Sequence, residues 1–231
     1  MRAPGGPTRG HSKLQPMFGY TFLKRPVLRA RAVQEVEALK CITQPDVHLA
    51  YLDRIQTAAE RQFFAALLPS FRGFQSTVAA SEAPALVASH VATHVPASAL
   101  AHAWAQELAR ATHTFAAITH AQRLQIILKR VEDDACRKFH TDRYDLRMFC
   151  TYVGKGTEWL EEQHVNRSAL VAGTNDQIVK DWSKVRHIEA GQLAIFQGEA
   201  SAQNRNKGIV HRSPPIEREG GMRIIFRVDP V

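Results

Sequence analysis

The chain has 231 residues, 45% hydrophobic and 23% charged, with a formal net charge of +8. That length supports one substantial domain with an accessory segment, and the composition is ordinary for a globular protein. No apolar run approaches the ~20 residues of a membrane helix, and three scattered cysteines (Cys41, Cys136, Cys150) do not make a disulfide framework, so a cytoplasmic protein is expected.

The basicity is local. Residues 1–40 carry eight Lys and Arg against two Glu, six of the eight net positive charges. A basic leader can touch nucleic acid or an anionic surface, but a solvated disordered segment is the simpler reading. No nucleic acid or membrane partner is therefore expected of the near-neutral body. No apolar segment with a cleavage site follows the leader, although an Arg-rich, acid-poor start also resembles a transit peptide.

Residues 1–26, rich in Pro, Gly and Arg, read as a disordered basic tail. Val33, Val36 and Leu39 predict a helix over 28–40, and Val47–Leu52 a strand. A second helix runs from Ile55 to Leu68 and stops at Pro69. Phe74–Val78 is β-prone. Residues 83–95 form an Ala-rich helix broken by Pro96, and Ser98 is an N-cap for another helix reaching Phe115. After Gln122 the period changes. Leu124, Ile126 and Leu128 alternate with polar residues, as in a half-buried strand. Leu146–Val153 is a strand ended by Gly154 and Gly156, and a loop-rich stretch spans Glu161 to Lys184. Three strands follow: Leu193–Phe196, Gly208–His211 and Met222–Val228.

The expected fold is α+β: a mainly helical buttress (27–121) packed on a C-terminal double-stranded β-helix (122–231), a cupin-like jelly roll, with 27–231 forming one structural domain.

Chemistry concentrates in Phe139-His140-Thr141-Asp142. On an extended backbone residues i and i+2 share a face, so an imidazole and a carboxylate can hold one ion. Eleven His and nine Asp in 231 residues give about 0.4 His-x-Asp pairs by chance, so the pair needs context. His211 is the candidate third ligand. Two His and one carboxylate form the facial arrangement of non-haem Fe(II) oxygenases, which leaves three positions for other ligands. Arg223 and Arg227, four apart on a predicted strand, share a face with Ile225. Such a pair is costly unless anions neutralise it, and a bound dicarboxylate would do so.

The order His-x-Asp, strands, His211, then an Arg strand resembles the core of the 2-oxoglutarate/Fe(II) dioxygenases. That resemblance implies Fe(II) and 2-oxoglutarate as cofactors, with Arg223, or alternatively Arg227, binding the distal carboxylate of the co-substrate. The segments Cys136-Arg-Lys-Phe-His-Thr-Asp, Cys150-Thr-Tyr, Gly156-Thr-Glu-Trp-Leu and His211-Arg-Ser-Pro-Pro resemble domain-of-unknown-function family 1826, a bacterial family, over residues 40–229. That family implies no established activity, and its association with metal-homeostasis neighbourhoods implies a different role, a non-redox Zn(II) protein.

Cys136 shares strand parity with His140 and Asp142 and is a candidate fourth ligand; a soft sulfur would favour tetrahedral Zn(II) over Fe(II). His90 and His94, four apart on a helix, have no third ligand at a diagnostic spacing. Tyr152 and Trp159 serve equally as pocket lining or core. Lys207 and Arg212 flank His211 and could attract an anion. A phosphate-binding loop, a dinucleotide fingerprint, a nucleophile elbow and a Cys-x-x-Cys pair are all missing from the sequence. The substrate, small molecule or protein, is not legible.

Overall fold

The computed structural model describes Met1 and residues 29–133, 136–217 and 221–231. The tail read as disordered lies, Met1 apart, outside them. The described strands are β1 (Arg29–Val33), β2 (Val47–Leu52), β3 (Phe74–Ala79), β4 (Arg123–Val131), β5 (Leu146–Val153), β6 (Glu158–Leu160), β7 (Arg186–His187), β8 (Ala194–Gln197), β9 (Val210–Arg212) and β10 (Arg223–Pro230). The α-helices are α1 (Ala58–Leu67), α2 (Ala83–His94), α3 (Ala99–Thr119) and α4 (Asn175–Ile178). None is long and apolar enough to cross a membrane.

Seven strands form one mixed sheet in the order β1-β2-β8-β5-β10-β4-β3; β7-β6-β9 form a second, antiparallel sheet. Only the β1–β2 pairing of the large sheet is parallel. Strands from before residue 121 thus share this sheet with strands from after it: β2 pairs with β8 and β3 with β4.

Period-two alternation gives the large sheet two unlike faces. Leu124, Ile126, Leu128, Met148, Cys150, Tyr152, Ile224, Phe226 and Val228 belong to the core shared with α1, α2 and α3. The alternate residues of the same strands, Lys129, Arg147, Phe149, Arg223, Ile225 and Arg227, line a cavity on the other side. Between the two sheets Leu49, Phe196, Trp159 and Ile209 form a smaller apolar layer.

Two of the helices begin at side-chain caps. Thr57 and Glu60 make a reciprocal capping box at α1, and the Ser98 side chain accepts from the Ala101 backbone at α3. The 28–40 segment corrects the expectation of an α-helix. Arg29–Val33 alternates and pairs with β2, and Val36–Thr43 is a 3-10 helix. Its buried residues Val36, Leu39 and Ile42 recur every third position, the 3-10 period, which a helical reading of a short window cannot separate from 3.6.

Tyr152 belongs to the helix-facing core and Trp159 to the layer between the sheets. The Tyr152 hydroxyl donates to Glu107 Oε1 at 3.0 Å, and Arg54 pairs with Glu107 at 2.6 Å and Glu60 at 3.1 Å. Burial pushes the Glu107 carboxyl up, and the Arg54 charge pulls it back. This cluster ties the end of β2 to α1, α3 and β5. Replacing Glu107 by Leu should cost about 2–3 kcal/mol in urea unfolding, less than stripping a buried ion pair completely because Glu60 remains. A loss under about 0.5 kcal/mol would show the cluster to be energetically idle.

Candidate metal centre

The site begins as backbone. His140 and His211 face each other in an antiparallel bridge, each amide donating to the other's carbonyl at 3.0 Å. A bridge of this kind sets two side chains side by side on one face. The imidazole centroids are 4.7 Å apart. Two residues on, Asp142 returns to the same side, as expected of an extended chain. One ligand atom from each of His140, Asp142 and His211 lies within 4.8 Å of the others, the one such His/Cys/Asp/Glu group among the described residues.

Both imidazoles are held in the form a metal needs. His140 Nδ1 lies 2.8 Å from the Lys138 carbonyl and His211 Nδ1 3.0 Å from that of Ile209. A carbonyl only accepts, so Nδ1 carries the proton and the Nε2 lone pair faces the site. His211 is 7% exposed, and burial pushes its imidazole below the ordinary value, against the pull of the Asp142 charge. Neutral imidazole is the ligating form.

Asp142 is 4% exposed. Its Oδ1 accepts from Arg147 Nη1; its Oδ2 has no hydrogen-bond donor and lies 3.5 Å from His211 Nε2. A buried, undonated carboxylate oxygen is costly, and a cation between it and the two Nε2 atoms would satisfy it. The donor set of two imidazoles and one carboxylate suits a divalent transition metal.

Arg147 is set in turn by Asp229, which accepts from its Nε at 2.6 Å and its Nη2 at 3.3 Å. Asp229 is fully buried and also lies 2.9 Å from Arg227 Nε, an ion pair off the hydrogen-bonding direction. One carboxylate therefore orients the guanidinium that orients Asp142. Gly198 permits the approach. A Cβ there would run into the Tyr144 carbonyl and fall 2.6 Å from that of Asp142. The neighbouring Glu199 amide donates to Asp142 O at 2.8 Å.

The cavity that reaches His140 and His211 is also lined by Cys136, Lys129, Arg223 and Arg227. Arg223 and Arg227 do share one face of β10 with Ile225. Arg223 is buried, and Gly154, at φ +86°, seats it: a Cβ at 154 would meet Arg223 Cγ at 2.8 Å. Cys136 is exposed at the cavity wall and is not in the converging group. Arg212 pairs with Glu158 at 2.6 Å and stacks over Phe139 and Trp182, so its charge is already engaged. His90 and His94 stack on each other on α2 and converge with no acidic ligand.

Sequence reasoning missed Arg147, Asp229, Gly198 and Asn175. The first two follow the alternation that singled out Arg223: Asp229 continues the series 223, 225, 227. Asn175 lies in the stretch 161–184 that had no legible pattern. Its side chain accepts from the Phe139 amide at 2.8 Å and donates to the Arg137 carbonyl at 2.9 Å, clamping the strand that carries His140.

The chain belongs to the family described as "Protein of unknown function (DUF1826)", whose model matches residues 33–229. No curated protein matches. Solved structures similar to it include the Arabidopsis thaliana dioxygenase for auxin oxidation 1 in complex with 2-oxoglutarate. That likeness has 12% identity and TM-score 0.45, covering 88% of this chain and 92% of that one. A Pseudomonas putida prolyl-4-hydroxylase is also similar, with 10% identity and TM-score 0.40, covering 85% of this chain and 98% of that one. These values are too low for the likeness to carry an activity across.

Asp229→Asn removes the charge that holds Arg147 without touching a ligand. Titration with Co(II), followed by its visible absorption, should show affinity for the ion falling at least about tenfold. Unchanged affinity would mean that Arg147 holds Asp142 unaided.

Proposed function

We propose that the protein is an Fe(II)- and 2-oxoglutarate-dependent oxygenase. His140, Asp142 and His211 hold the metal, and Arg223 anchors the far carboxylate of the co-substrate, with Arg227 beside it. The observation that supports this most is the convergence of the His140 and His211 imidazoles with the Asp142 carboxylate, whose Oδ2 has no donor, beside a cationic cavity that both imidazoles line. We read the seven-stranded and three-stranded sheets, packed through Leu49, Phe196 and Trp159, as a jelly roll carrying that site between them.

The charges fit the assignment. Arg147 and Arg227 are met by Asp142 and Asp229, and Arg212 by Glu158. With Asp142 already matched by Arg147, a dication on the triad adds two positive charges, and a bound dianion balances them. The bound metal and co-substrate supply the oxidation R–H + O2 + 2-oxoglutarate → R–OH + succinate + CO2. The protein's own part is to present Asp142 through Oδ2 by occupying Oδ1, to aim both imidazoles through their Nδ1 contacts, and to hold the dicarboxylate by a guanidinium fork. A Cys136 thiolate ligand would have added weight to the zinc alternative, and the converging group contains no sulfur.

Anaerobic protein given Fe(II) and then 2-oxoglutarate should develop a weak visible charge-transfer band, and in air should form succinate without added substrate. Arg223→Ala should weaken 2-oxoglutarate binding by at least about tenfold while sparing Fe(II), the loss expected of a charge-assisted bidentate pair. Tight zinc retention, no band and no succinate would contradict the oxygenase reading.

A further inference from the structure

A second cavity meets the same centre. It shares only His140 and Arg147 with the first, and its other walls include Asp142, Arg143, Tyr144, Leu170 and Val171. The triad therefore stands between two spaces. The first borders His140 and His211 and carries Arg223; the second borders His140 and Asp142 and lacks it.

The charges of the second space can be assigned one by one. Arg147 is held by Asp142 and Asp229. Arg167 is held by Glu162 and Glu199 and donates to the Gly208 carbonyl, and Glu199 also accepts from the Gly208 amide. Asp142 faces the metal position. One cation is left without a carboxylate partner: Arg143 is exposed and makes no salt bridge among the described residues, whereas Arg167 is shared by two carboxylates. Beside it the wall turns apolar. Val171 is 92% exposed, one of few large apolar side chains so placed, and Leu170 adjoins it. The Tyr144 ring completes the wall, with one face covered by the Arg147 guanidinium at 4.9 Å.

A cavity with one unpaired cation at its rim and an apolar flank, opening on the His140–Asp142 pair, suits a ligand with one anionic group and an apolar body. We infer that the second cavity binds the oxidisable substrate, an amphipathic organic monoanion, with its acid group on Arg143 and its apolar body against Leu170 and Val171. The inference rests on the oxygenase reading for the word substrate; the ligand site itself does not.

Octanoate is the probe, observed by proton NMR with Mn(II) on the full-length protein as the relaxing metal. Octanoate signals should broaden, and the broadening should persist when 2-oxoglutarate saturates the first cavity. Octan-1-ol should bind several-fold more weakly. Arg143→Gln should lower octanoate affinity about fivefold, the scale of one exposed ion pair, and leave 2-oxoglutarate affinity unchanged. Val171→Asp, which sets a like charge beside the ligand, should lower octanoate affinity further. Loss of broadening on adding 2-oxoglutarate, equal binding of the alcohol, or indifference to both substitutions would each overturn the inference. If 2-oxoglutarate fails to bind while octanoate still depends on Arg143, the oxygenase reading falls and the anion site stands.

Discussion

Two backbone hydrogen bonds, between His140 and His211, hold the centre together. They join a short extended segment to β9 and so to the smaller sheet. A third backbone hydrogen bond, from the Ser213 amide to the Cys136 carbonyl at 2.9 Å, ties the same two segments. The bridge is reinforced from outside the metal position: Phe139, immediately before His140, is buried among Leu160, Val165, Ile178 and Val210, and Asn175 clamps the backbone on either side of Lys138. The irregular stretch 161–184 thus supports a strand that has only a single bridge of its own.

Charge imposes the second constraint. A carboxylate as buried as Asp142 needs cations, and Arg147 supplies one at Oδ1 while Oδ2 is left without a donor. Arg147 in turn needs Asp229, and Asp229 neutralises Arg227. The cavity face of the large sheet is therefore an alternating chain of ions rather than a set of separate residues. The opposite face of the same strands is apolar and packs on three helices, so the period-two pattern that builds the core also concentrates the ions on one side.

Much of this was legible. The pairing of His140 with Asp142 and the shared face of Arg223 and Arg227 follow from the i, i+2 rule on extended chain, whereas His211 was named from the order of the motifs. The capping residues Ser98 and Thr57 mark helices where caps predict them, although only Ser98 was recognised from sequence. What was not legible is non-local. A spacing of three in Val36, Leu39 and Ile42 fits a 3-10 turn as well as an α-helix, and pairing with β2 decided that the preceding residues are a strand. Gly198 and Asn175 matter because of what lies opposite them, Asp142 and Phe139, some 56 and 36 positions away in the numbering. No local pattern reports such an approach.

The central claim is that three side chains from two distant segments close on one divalent ion. Crystals grown anaerobically with Fe(II) and examined by anomalous diffraction at the iron edge test it most directly. The account predicts one iron peak within coordination distance of His140 Nε2, Asp142 Oδ2 and His211 Nε2. Iron held elsewhere, or an empty triad with the Asp142 oxygen turned to a protein donor, would contradict it.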